Sequence, residues 1–492
     1  MDNLAQSLQT AIRFHNEGSL TEAIDLYKEI IAHDSDHADA NHLVGVALLS
    51  RGHGDDRLEM FSYLKKAIKV RPDTAEYHND LGNAFWVKRQ FKQAEKEFFT
   101  CTELKPELVR AQFNLGNARF MQRKYPEAAK AYQTCISLDP NWTQAHYNLG
   151  NCLQYSGCLD QAIDAYDKVI ECEEDNYEAY IARSAVLLKQ GKYQSGWRDY
   201  QKRLFREDYR FLEEAAEKPW DGRPINGQSI LVYAEQGIGD AIQFVRFISN
   251  IRSLGGRVTL AAEERLVALF ENSLDVDEVV AVEVVKSRCS NRTYDWQTSL
   301  MSAPLLFDVS VETIPNEVPY LINDAQITEQ WRQELDSSEL SLGIVWAGNA
   351  AQKDNVSRSC SLEDLLPLIS IPNVKVFSLQ FDEARQQLLD YKGEKSITDI
   401  TPRLDSFADT ADFICALDLI ITVDTAMAHL AGALGKPVWV LLWIGNCWRY
   451  FHNRSDSPWY PTMRLFRQQE QDNWQPVVDE VTDALRDLVD KK

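Results

Sequence analysis

The sequence predicts a helical repeat solenoid over residues 1–210, followed by an α/β region of two facing parallel-sheet lobes. Three observations point to this: a 34-residue period in the first half, apolar runs alternating with amphipathic segments in the second, and the Pro- and Gly-rich stretch KPWDGRPINGQ between them. At 492 residues the chain is too long for one hydrophobic core. Its net charge of −22, with no basic run, disfavours nucleic acid and anionic lipid as partners. No membrane-length window is uninterruptedly apolar, and MDNLAQSLQT lacks the basic and apolar parts of a secretion signal, so a cytoplasmic protein is expected. The nine cysteines form no CxxC pair and are expected to be buried, reduced thiols; His33, His37 and His42 are expected on helix surfaces rather than on a metal.

Three units beginning at Asp80, Asn114 and Asn148 carry the period. In each, a glycine (Gly82, Gly116, Gly150) allows close helix approach, an alanine (Ala94, Ala128, Ala162) repeats the small contact, and Phe98, Tyr132 or Tyr166 supplies the large partner. Pro106 and Pro140 end the second helix of their units. The pattern resembles the tetratricopeptide (TPR) repeat. Weaker copies around Gly18, Ala23 and Tyr27, around Ala67 and Pro72, and from Tyr180 through Leu187 and Gly191 to Tyr200 bring the expected number to about six. Stacked repeats generate a groove suited to a peptide or protein segment. Asn83, Asn117 and Asn151, one after each glycine, are candidates to hold such a ligand, the alternative being bonds to the neighbouring repeat.

Residues 211–228 are expected as a linker, 229–320 as a first, short Rossmann-like lobe on the acceptor side, 321–340 as a bridge, 341–475 as a second Rossmann-like lobe, and 476–492 as a C-terminal helix. The turn YAEQGIGDAIQF lacks the lysine of a phosphate-binding P-loop and the third glycine of a dinucleotide fingerprint. It leaves Asp240 in the first turn of a helix, either as a cap or as a general base, with Gly237 and Gly239 giving a substrate room to approach. In ITVDTAMAHLAGALGKPVWVLL, Asp424 and Thr425 mark a strand-to-helix junction suited to phosphate, and His429 lies on the same helix face. In VWAGNAAQKDNVSRS, Gly348 and Asn349 suit a turn approached by a ligand, and Lys353 and Arg358 are placed to neutralise a diphosphate. Trp346 in that segment and Gln380 at the end of VKVFSLQ complete the candidate donor-site set.

GIGDAIQF, WAGN followed by RS, the stretch from DSFADTADF to KPVWVLL, and SPWYPTMRLFRQ together resemble bacterial TPR proteins carrying a glycosyltransferase domain. That domain is related to the ADP-heptose:lipopolysaccharide heptosyltransferases of glycosyltransferase family nine. The resemblance implies a GT-B fold and an inverting, metal-independent transfer from a nucleotide-diphosphate sugar, with no cofactor. It implies Asp240 as the base, Asp424, Thr425 and His429 at the donor diphosphate and sugar, and Lys353 on phosphate. It also implies a protein or peptide acceptor in the repeat groove, flagellin or another surface-structure subunit among them. The alternatives are a non-catalytic scaffold and a transferase acting on a glycan or lipid. Ala350, Gln352, Asn355 and Val356 depart from the family pattern, which leaves the nucleotide and sugar open.

Overall fold

A computed structural model describes residues 2–52, 56–206, 216–288, 294–335, 338–352, 354–393 and 396–491. The chain forms two compact units, residues 1–175 and 176–492.

The first unit is five antiparallel helical pairs: Asp2–Asn16 with Leu20–His33, Ala38–Arg51 with Arg57–Val70, Ala75–Val87 with Phe91–Leu104, Val109–Phe120 with Tyr125–Leu138, and Thr143–Tyr155 with Leu159–Cys172. The repeated glycines act sterically. A Cβ at Gly82, Gly116 or Gly150 would lie 2.6 Å from the ring of Phe98, Tyr132 or Tyr166, so the large residue of each pair packs directly on the backbone of its partner helix. His42 bonds Asp80 at 2.8 Å and stacks on Tyr77, while His37 caps its helix by accepting from the Ala40 N–H. Cys101, Cys135 and Cys152 are buried, but Cys158 and Cys172 are exposed, contrary to the expectation for all the thiols.

A sixth pair, Tyr177–Lys189 with Tyr193–Tyr200, continues the pattern in sequence but belongs to the second unit. Leu188, Tyr193, Trp197 and Tyr200 enter the α/β core. Trp197 packs edge-on against Phe244 and Trp448, and the Tyr193 hydroxyl accepts from the Trp459 indole at 3.1 Å. The division therefore precedes residue 210, because these aromatic side chains face α/β residues.

Among the described residues, the rest of the second unit holds two sheets whose strands pair in parallel, with one isolated antiparallel bridge from Asp456 to Arg464 at the edge of the second. The first comprises β1 (Ala216–Pro219), β2 (Ser229–Tyr233), β3 (Arg257–Ala262), β4 (Glu278–Ala281) and β5 (Tyr294–Ser299), in the order β1-β5-β2-β3-β4. The second comprises β6 (Leu340–Val345), β7 (Val374–Ser378), β8 (Ile397–Asp399), β9 (Leu419–Val423), β10 (Val438–Leu442) and β11 (Met463–Arg467), in the order β11-β10-β9-β6-β7-β8.

Two sequence assignments change. The expected linker supplies edge strand β1 and buries Trp220 and Ile225; Pro219 is tolerated at the end of an edge strand. The expected bridge contains the helix Ala325–Glu334, whose Trp331 packs edge-on against Phe413 of the helix Phe407–Ala416, making it part of the second lobe. The C-terminal helix spans Gln475–Val489 and buries Val477, Val478, Val481 and Leu485. Among the described residues, no helix is long and apolar enough to cross a membrane.

Candidate active site

Strand order reverses beside β2 in the first sheet and beside β6 in the second, the positions where open α/β sheets offer a crevice at their strand ends. The turn after β2 is anchored from behind. Glu235 accepts from Arg203 at 2.8 and 3.0 Å and from the Ser299 hydroxyl, and Gln236 donates to the Tyr200 hydroxyl. Tyr200 ends the sixth helical pair and Arg203 lies in the turn directly after it, so that pair shapes the crevice wall.

The helix Ile238–Phe244 begins at Gly237, and Asp240 in its first turn accepts from the Gly237 N–H at 3.1 Å. That bond closes the helix end, so capping is a real role of Asp240. Its other oxygen accepts from Arg449 of the second lobe. Gly239 has a different task from the expected one. A Cβ there would lie 2.8 Å from His429 Cδ2 and 3.6 Å from Ala426 Cα, so this glycine admits the His429 helix rather than a substrate. Gly237 likewise gives its N–H to Asp240 rather than to a ligand.

Across the crevice, β9 runs into Asp424, and Thr425 caps the helix Ala426–Ala433. Thr425 Oγ1 accepts from the Met427 N–H at 3.3 Å and lies 2.9 Å from Thr422 Oγ1. Asp424 accepts from the Tyr450 hydroxyl at 2.9 Å. Desolvation raises its pKa, while the charge of Arg358 and the Tyr450 hydroxyl oppose that rise. His429 is buried, with Nδ1 3.1 Å from the Tyr460 hydroxyl. Burial first, then the cations of Arg449 and Arg246, hold its pKa well below the ordinary value, so the ring is neutral at neutral pH.

The loop after β6 is pinned by Gln380. Its Oε1 accepts from the Trp346 and Ala347 N–H groups at 3.0 and 2.9 Å, and its amide donates to the Ala347 and Phe381 carbonyls. Gln380 thus shapes the loop that carries Trp346 and Ala347, with both ends of its amide engaged. Asn349 accepts from the Ala351 N–H at 2.9 Å, closing a local turn. Arg358 lies over Gly348, where a Cβ would come within 2.2 Å of Nη2, and the Gly348 N–H bonds Ser359 Oγ. Trp346 Nε1 and Arg358 Nε are buried donors without a hydrogen-bond partner among the described residues. Lys353 lies outside the described residues.

The structure brings Asp240, Asp424 and His429 around Arg449 and Tyr450, with the charge of Arg358 reaching Asp424. Arg449, Tyr450 and Glu235 escaped sequence reasoning. Their only signal was position, in CWRYF after β10 and in the YAEQG turn.

In the first unit the asparagine oxygens are engaged internally. Asn117 accepts from Tyr132 at 2.7 Å and Asn148 at 3.0 Å, Asn151 from Tyr166 at 2.8 Å, and Asn83 from Asn114 at 3.3 Å. The neighbouring-repeat alternative therefore accounts for two of these contacts, Asn148 to Asn117 and Asn114 to Asn83.

Residues 109–141 and 143–176 match the tetratricopeptide repeat family, and residues 373–442 match glycosyltransferase family 9 (heptosyltransferase). Protein FlbA of Caulobacter vibrioides is 26% identical over 337 residues, covering 64% of this chain; the chain spans 56% of that relative's length. Among solved structures, YrrB, described as a TPR protein with an unusual peptide-binding site, aligns with a TM-score of 0.34 and 19% identity over 36% of this chain and 91% of its own. MamA from Desulfovibrio magneticus aligns with a TM-score of 0.33 and 23% identity over 36% of this chain and 98% of its own. The chain thus carries tetratricopeptide repeats and, over residues 373–442, a stretch similar to glycosyltransferase family 9 (heptosyltransferase).

Proposed function

We propose that the protein is an inverting, metal-independent glycosyltransferase that moves a sugar from a nucleotide-diphosphate donor to a protein or peptide held by the repeat groove. The observation that carries this reading is the meeting of Asp240 on one lobe with the Asp424, Thr425 and His429 end of the other, made possible by Gly239 against His429. Inverting displacement needs one base at the acceptor hydroxyl and stabilisation of the departing diphosphate. Asp240 is the carboxylate for the first. The helix start at Thr425, the guanidinium of Arg358 and the unmatched Trp346 and Arg358 donors suit the second. The Asn117 and Asn151 amide NH2 groups donate no hydrogen bond among the described residues, which suits them to a peptide carbonyl. Flagellin or another surface-structure subunit is the acceptor class to assay first.

The test is sugar transfer by the Asp240→Asn variant. Turnover should fall by roughly 10²-fold or more, the scale of general-base loss, with donor binding retained; full turnover would remove Asp240 from the base role. A scaffold reading draws on the fact that both Asp240 oxygens are bonded, and predicts no transfer to any acceptor even by the unaltered protein.

A further inference from the structure

Arg449 is the middle residue of the short 3-10 turn Trp448–Tyr450, which follows β10 on the second lobe, yet its guanidinium reaches the first. Nε donates to Gln243 Oε1 at 2.6 Å and Nη2 to Asp240 Oδ1, so its fork grips two acceptors three residues apart on one helix face. Nη1 lies 2.9 Å from Cys447 Sγ, and the guanidinium sits 4.4 Å from the centroid of the Trp448 ring. With the Gly237 N–H on Oδ2, both oxygens of Asp240 are held, one of them by a buried cation from the opposite lobe.

A planar guanidinium matches the oxygens of a diphosphate as well as those of a carboxylate. Arg449 lies beside the Asp424 and His429 end of the second lobe, close enough for its charge to act on both groups. The diphosphate of a donor in that lobe therefore competes with Asp240 for one cation.

We propose that Arg449 is a donor-released lock on the base: the diphosphate draws the guanidinium from Asp240, and only then does Oδ1 become available to the acceptor hydroxyl. The inference rests on the glycosyltransferase reading and adds an order to it, donor before acceptor. In the transfer step the acceptor oxygen bonds the anomeric carbon as the bond from that carbon to the diphosphate oxygen breaks. The hydroxyl proton passes to Asp240, and the electron pair leaves with the diphosphate, beside Arg449.

The experiment is calorimetric titration of the full chain with UDP, GDP, ADP, CDP and dTDP and with their parent nucleosides, in three forms. For a diphosphate that the unaltered protein binds, Arg449→Gln should weaken binding at least tenfold while leaving nucleoside binding unchanged. Asp240→Asn, which frees Arg449 of its competitor, should tighten diphosphate binding by about three- to tenfold. A merely structural ion pair predicts the opposite, since losing it would loosen the crevice, so unchanged or weaker binding by Asp240→Asn overturns the lock even if Arg449→Gln fails to fold. If the unaltered protein binds none of the five diphosphates, the glycosyltransferase reading falls and the lock with it; binding without the opposed responses sinks the lock alone.

Discussion

The two units hold themselves together over different distances along the chain. In the repeat unit the bonds between neighbours span about one period, as in His42 to Asp80, 38 residues apart, or Asn148 to Asn117, 31 apart. In the second unit the Tyr193 hydroxyl meets Trp459 across 266 residues, Lys189 meets the Asn446 carbonyl across 257, and Arg449 meets Gln243 across 206. The first is a sum of similar, nearly local interfaces, while the second is built around a large core drawn from segments far apart in the chain. The sixth helical pair shows that repeat sequence and structural membership are separate matters. It has the local pattern of the first unit and the distant partners of the second.

Truncation breaks this comparison most severely. Removing residues 1–175 should leave a folded α/β unit with a cooperative thermal transition. Removing 1–210 strips Trp197, Tyr200 and Arg203 from its core, and circular dichroism should show no such transition. If both fragments melt alike, the sixth pair belongs with the repeats after all.

A single side chain tests the same point more gently. Trp197 is fully buried against Phe244 and Trp448, so Trp197→Ala should destabilise the second unit by about 3–5 kcal/mol. Chemical denaturation should show the repeat transition unmoved.

Lys189 sharpens the comparison through pH. Its ammonium is buried at the end of the sixth pair's first helix, donating to the Asn446 carbonyl at 3.1 Å, and burial together with Arg467 lowers its pKa to about 8. The unfolded chain, with a lysine pKa of about 10.4, binds more protons between these values, so the penalty is complete below pH 8 and is relieved as pH rises toward 10.4. Two pKa units correspond to roughly 3 kcal/mol. Lys189→Met should raise stability of the second unit at pH 7 by about 1–3 kcal/mol, after loss of one hydrogen bond. The difference from the unaltered protein should shrink as pH is raised from 8 to 10.4; a difference constant over that range would contradict it.

An effect of similar size is expected in the first unit. Gly116→Ala places a Cβ against the Tyr132 ring and should cost about 1–3 kcal/mol by overpacking, confined to the repeats. Hydrogen exchange would detect it as faster opening of the Val109–Phe120 and Tyr125–Leu138 pair, with the α/β amides unaffected.

Much of this was legible before folding. Gly82 with Phe98, Gly116 with Tyr132 and Gly150 with Tyr166 are each 16 residues apart, and the short turn between the two helices of a repeat brings such pairs face to face. The motifs around Asp240, Asp424 and His429 also stood out, because strand-to-helix junctions have recognisable local chemistry. What stayed hidden depended on distant partners. Nothing near Gly239 announces that His429, 190 positions later, occupies the space beside it. The local sequence of Gln380 is likewise silent about the two N–H groups of the β6 loop that its side chain holds. The linker became an edge strand because β5 offered a partner 78 residues on.

The sequence by itself determined the repeat period, the change from helical to alternating pattern, and the residue types at each strand-to-helix junction, since these follow from backbone periodicity and local hydrogen bonding. Tertiary structure decided that the sixth pair joins the α/β unit, that Gly239 admits a histidine, and that Asp240 is held by Arg449. Each of those depends on burial and charge contacts between segments far apart in the chain, which no local pattern encodes.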